Sequence, residues 1–147
     1  MSKDTVGAKL QALIPTSIDD VIRTNRDQAS LRFSTQEDLG PLAGEILPGA
    51  RAVPVSLWNF VTLCMHGEHP VQHVLLLGWN DNEDRTWNTS PVRRFDAAAG
   101  LVATRSGTIY TVAGPHGAEQ DLDLVHLCIY LRQTGAGDFY GIPPFFY

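Results

Sequence analysis

VQHVLLLGW-NDNED-RTWNTSPVRRF-DAAAG-LVATR-SG-TIYTV runs from Val71 to Val112, and its punctuation is that of a sheet. Four extended segments are separated by polar or glycine-bearing turns. Val74–Leu77 is a continuous apolar run bounded by His73 and Gly78-Trp79. It is short for a helix and reads as a central strand covered on both faces. Asn80 to Asp84 is a polar turn. Thr86 to Phe95 is extended but interrupted at Ser90-Pro91, and a proline inside a strand marks an edge or a bulge because it cannot donate to the ladder. Leu101–Arg105 and Thr108–Val112 flank Ser106-Gly107, the two-residue spacing of a tight hairpin.

Helical signals surround this stretch. Val6, Leu10, Leu13 and Ile14 share one helical face over residues 4–14, closed by Pro15. Ser17 to Asp20 resembles a capping box, with Ile18, Val21 and Ile22 expected inward. Ala29, Leu31 and Phe33 alternate as a short strand does. Ser34 to Glu37 is a second capping box, ahead of Leu39, Leu42, Ala43, Ile46 and Leu47 at helical spacing. Pro41 is tolerated only in a first turn, which moves that helix toward Gly40. Ser56 then caps a helix with Leu57, Phe60, Val61 and Cys64 on one face and Gly67 as its stop. Asp121 opens a last helix, with Leu124, Cys128 and Leu131 on one face and Leu122, Val125 and Ile129 beside them. Helices, then strands, then a helix predict an α+β fold: an antiparallel β-meander of about four strands packed against several α-helices. With 147 residues, one globular domain over residues 1–147 is expected.

The net charge is -5 and the pI about 5.4. Direct nucleic-acid binding is disfavoured, since phosphates call for clustered Lys and Arg. A basic protein partner is compatible with the acidic surplus. The start of the chain shows no clean apolar run of a signal peptide. No stretch approaches the roughly 18 apolar residues of a membrane span. Cys64 and Cys128 sit in apolar runs and read as buried thiols of a reducing compartment. A cytoplasmic location is expected.

Five constellations are candidates for chemistry. Cys64, His66, Glu68, His69 and His73 gather potential metal ligands, with His126 and Cys128 available from the last helix, but the spacing matches no zinc pattern. Histidines capping a helix end explain the cluster as well, so neither metal nor cofactor is expected. A cysteine–histidine nucleophile pair would need an exposed, electropositive thiol. The sheet carries a polar ladder of Thr86, Asn88, Ser90, Thr104, Arg105, Thr108 and Thr111, whose hydroxyls could line an anion or small-ligand site with Arg93, Arg94 and Arg105, of which Arg93 and Arg105 are the leading residues. The plainer reading is cross-strand hydroxyl pairing. The aromatic terminus, with Phe139, Tyr140, Phe145, Phe146 and Tyr147, either docks as a plug or faces a partner. Asp81, Glu83 and Asp84 form an acidic turn suited to a basic partner.

The expected function is accordingly a small acidic protein-binding module, such as an inhibitor or immunity-type protein acting on a basic or nucleic-acid-processing partner. Asp81, Glu83, Asp84, Phe145, Phe146 and Tyr147 are its expected contacts. The alternatives are a ligand-binding domain or enzyme, which requires two or more of the histidines and arginines to converge in a pocket, and a structural subunit of a homo-oligomer.

Overall fold

The computed structural model describes residues 14–47, 51–66, 70–112, 116–118, 121–135 and 137–145. The helix expected over residues 4–14 lies almost wholly outside them. Seven strands dominate the described residues: β1 (Ala29–Phe33), β2 (Val53–Met65), β3 (Val71–Asn80), β4 (Arg85–Asn88), β5 (Val92–Asp96), β6 (Leu101–Thr104) and β7 (Ile109–Thr111). The α-helices among them are α1 (Gln36–Leu39) and α2 (Leu124–Gln133). This corrects the expected four-strand antiparallel meander packed against several helices. The protein is mostly β, with a seven-strand mixed sheet.

The largest departure is β2, where a helix from Ser56 was expected. Its sequence is rich in β-branched and aromatic residues (Val53, Val55, Trp58, Phe60, Val61 and Thr62), which fit a pleated surface. Residues 59–63 are buried without a break, because both faces of the strand are covered. Covering both faces removes the alternation that normally announces a strand. The i, i+3, i+4, i+7 spacing of Leu57, Phe60, Val61 and Cys64 is then a coincidence of a uniformly apolar run. The second helix shrinks for a different reason. Thr35, not Ser34, is the cap and closes a reciprocal box with Asp38, and the helix ends after four residues in a 3-10 turn at Gly40–Leu42 that contains Pro41. Ser17 makes no side-chain cap, and only a 3-10 turn forms at Ile18–Asp20, although Ile18, Val21 and Ile22 are buried as expected.

Strand β2 organises the sheet. Strand β3 pairs antiparallel along its length, with a bulge between Ser56 and Asn59. Its other side is shared. Strand β1 takes the C-terminal half antiparallel, from Phe33↔Val61 to Ala29↔Met65. Strand β7 takes the N-terminal end in parallel, at Val53↔Tyr110 and Pro54↔Thr111. Strands β5, β6 and β7 form an antiparallel ribbon, and β4 pairs with β3. The ends of the order β4-β3-β2-β7-β6-β5 are consecutive pieces of one chain segment, bent at Thr89–Pro91. Thr89 N–H donates to the Leu76 carbonyl at 3.1 Å, continuing the β3 ladder, and the Pro91 carbonyl accepts from Arg105 N–H at 2.8 Å, starting the β6 ladder. The sheet therefore curls round on itself.

Curling divides the core in two. Val55, Phe60, Val74, Leu76, Val92, Val102, Tyr110 and Val112 pack together inside the curl. Their strand neighbours Val61, Leu63, Leu75 and Leu77 point outward and pack with Ala29, Leu31, Ile18, Val21 and Ile22 and with Leu127, Cys128 and Leu131 of α2. Val74–Leu77 is thus covered on both faces, as its apolar run predicts. The N-cap of α2 is Asp123, whose carboxylate accepts from His126 N–H at 3.0 Å. No described helix is long and apolar enough to cross a membrane.

Candidate functional site

Two places gather the chemistry-bearing side chains. The first is the β3–β4 hairpin tip. Asn80 is buried, and its Oδ1 accepts from the N–H groups of Asn82 and Glu83 at 2.9 Å each. Asp84 closes the turn at φ 55, a left-handed conformation that Asp tolerates better than most residues. Asp81 N–H donates to the Pro54 carbonyl at 3.0 Å, and its carboxylate accepts from the Ser56 hydroxyl at 2.8 Å. The tip is therefore braced to β2 as well as to its own strands. Asp81, Glu83 and Asp84 are all exposed.

Large apolar side chains flank these carboxylates. Trp79, 37% exposed, pairs with Ser56, and Leu57 next to Ser56 is 38% exposed. Leu57 sits at φ 51, in the bulge of β2. A left-handed leucine is costly and persists only where its surroundings dictate it. Here Gly117 approaches the bulge, with its N–H donating to the Trp58 carbonyl at 3.0 Å and no room for a side chain beside the Leu57 carbonyl. The nearest cation along the chain, Arg85, lies over the Trp87 ring, 4.8 Å from its centroid.

The second place is a cavity of about 200 Å3 where α1, β3, the Pro91 bend and the β6–β7 turn meet. Leu42, Val74 and Val92 give it apolar walls, and Glu37, Gln72, His73 and Arg105 line it with polar groups. Asp38, which also lines it, anchors a buried network. Its side chain is only 5% exposed and is held by both terminal nitrogens of Arg32, one of them 2.9 Å from Oδ1. It also accepts from the Thr62 hydroxyl at 3.0 Å, Gln72 Nε2 at 2.6 Å and Thr35 N–H at 2.8 Å. The Arg32 hydrogen bond is the chief reason its carboxyl is held well below the usual carboxylate range, with burial acting in opposition. Burial, and secondarily the charge of Arg105, lowers the pKa of His73 and so favours the neutral ring.

Of the expected ligand residues, Arg105 lines this cavity and Arg93 does not. Arg93 lies with Arg94 in a separate groove beside Glu45–Leu47, where Arg94 donates to the Glu45 carbonyl at 3.2 Å. The histidines disperse. His66 is exposed, His126 is in the first turn of α2 near Trp87 and Asn88, and His69 is outside the described residues. No three potential ligands converge on a metal position among the described residues. Burial pushes the Cys128 thiol up to about 11, which removes it as a nucleophile. Phe145 packs half-buried against the outer core, while Phe146 and Tyr147 are outside the described residues.

Sequence reasoning located the acidic tip but missed its apolar flanks. Trp79, directly after a buried run and before the turn, carried the signal; Leu57 was assigned to a helix. The Asp38–Gln72 contact spans 34 residues and had no local signature. Comparison with protein-family models, with curated proteins and with solved structures found no match for this chain.

Proposed function

We propose that this protein is a binding module that engages a basic protein surface through the β3–β4 tip, in the manner of an inhibitor or immunity protein. The observation carrying this reading is the placement of exposed Asp81, Glu83 and Asp84 beside half-exposed Trp79 and Leu57 on a braced turn. Tryptophan is enriched among the residues that dominate binding energy, and a rigid presentation lowers the ordering cost of association. The carboxylates steer encounter and select the sign of the partner. Nucleic-acid-processing proteins present clustered Lys and Arg to grip phosphates, so they form the partner class that an acidic tip matches.

The test is capture from host lysate with wild-type protein, Trp79→Ala and Glu83→Lys as parallel baits, read by mass spectrometry. A stoichiometric basic protein held by the wild type, lost from both variants and released by salt supports the reading. A capture profile identical for all three baits refutes it. Light scattering on the same samples separates a foreign partner from self-assembly.

A further inference from the structure

We propose that the cavity between α1, β3 and the β6–β7 turn binds a small zwitterion of amino-acid size, with Arg105 taking its carboxylate and Glu37 its ammonium group. The inference does not depend on the hairpin tip.

Glu37 and Arg105 line the same cavity of about 200 Å3. Among the described residues neither side chain makes a hydrogen bond or an ion pair, with each other or with any other residue. Three arginine–carboxylate pairs among the described residues close directly: Arg23 with Asp20, Arg32 with Asp38 and Arg132 with Asp138. Opposite charges that face one cavity without meeting are complementary to a molecule carrying both signs.

The remaining lining narrows the chemistry. Asp38 is not available to a ligand, because Arg32, Thr62, Gln72 and the Thr35 amide already engage its oxygens. Gln72 donates its amide N–H to Asp38, which leaves its carbonyl oxygen as an acceptor for an ammonium group. Asp38 also lines the cavity, but its charge is answered by Arg32, which leaves Glu37 and Arg105 as the charges facing a ligand. Guanidinium is the side chain best shaped for bidentate carboxylate recognition. Leu42, Val74 and Val92 supply an apolar wall for a short side chain. A simple anion would meet Glu37 as a like charge, and a simple cation would meet Arg105.

The experiment follows the His73 ring and Gln72 side-chain NMR signals while wild-type protein is titrated with L-alanine, L-serine, L-glutamine and L-leucine, and separately with acetate and methylammonium. At least one amino acid is expected to give a saturable shift at both residues, with acetate and methylammonium binding more weakly. Arg105→Gln and Glu37→Gln should each raise the dissociation constant about tenfold, the loss of one charge-assisted hydrogen bond. Both positions are exposed, and an unchanged amide spectrum away from the cavity verifies that the variants are folded. The proposal is overturned if no amino acid saturates, if acetate binds as tightly as the best amino acid, or if both variants bind like the wild type.

Discussion

Thr89 is bonded to Leu76 from both its backbone and its side chain. Its N–H donates to the Leu76 carbonyl, and its hydroxyl accepts from the Leu76 N–H, each at 3.1 Å. The side chain thus substitutes for a strand carbonyl at the point where the segment turns from β3 toward β6. The hydroxyl also donates to the Ser90 carbonyl at 2.9 Å, so both its roles are occupied. Thr89 and Leu76 are both buried, and water cannot replace these bonds without opening the curl.

Thr89→Val keeps the shape and removes the acceptor. The Leu76 N–H is then buried without a partner, which costs about 1–3 kcal/mol. Urea unfolding should show a lower midpoint with an unchanged slope, since the surface exposed on unfolding is the same. An unchanged midpoint would mean that the bond does not hold the bend.

Asp38→Asn tests the buried network. Weakening the charge-assisted bonds to Arg32 and Thr62 should cost about 2 kcal/mol near neutral pH. The pH dependence has a definite sign. The folded carboxyl is depressed below its unfolded value, so its stabilisation is complete above about pH 4 and is lost as pH falls through that value toward the folded one. The stability gap between wild type and variant should therefore be constant from about pH 7 to pH 5 and narrow below about pH 4. A gap that widens in acid would contradict the assignment.

Gly78→Ala addresses the packing of the hairpin against the β2 bulge. A methyl there would lie 2.7 Å from Val55 Cγ1 and 2.8 Å from the Ser56 carbonyl oxygen. The backbone must shift to admit it, at a cost of about 1–3 kcal/mol. Calorimetry should show a lowered melting temperature, and the Trp79 environment should change in fluorescence. A variant as stable as the wild type would show that the bulge yields freely.

The two thiols should be distinguishable by reactivity. Cys128 is fully buried with its pKa pushed up to about 11, whereas Cys64 is half-buried, with Arg32 Nη2 3.9 Å from its sulfur. An aromatic disulfide reagent at mildly alkaline pH should label about one thiol per folded chain and both after unfolding. Cys64→Ser should abolish the native signal. Labelling of both thiols in the folded state would place Cys128 outside the core.

The sequence spelled out what neighbours along the chain determine. The β3 run, the Ser90-Pro91 interruption and the Ser106-Gly107 hairpin were readable because a turn or a proline acts within a few residues. Strand β2 was not, since burial on both faces removes the period of two and leaves helical spacing by accident. The acidic tip was visible as a turn, but the placement of Ser56 opposite Trp79, with Leu57 in the adjoining bulge, depends on the register of a misread strand. Arg105 was named and Glu37 was not, because the cavity is assembled from four segments brought together only when the sheet curls.

That curl has a seam. The parallel contact of β2 with β7 consists of two residue pairs, Val53↔Tyr110 and Pro54↔Thr111, whereas the β2–β3 ladder runs nearly the length of both strands. Hairpins made of neighbouring segments form at little loop-closure cost, but the seam joins positions more than fifty residues apart and gains few bonds for doing so. Such a closure should form late in folding and part first when the curled sheet opens locally. Val112 N–H donates to the Gly100 carbonyl on the β6 side, so with strand alternation the Thr111 N–H is the one directed toward β2; it should exchange faster than those of Leu75 and Leu76, and the molecule behaves as a durable two-ribbon sheet with a latch.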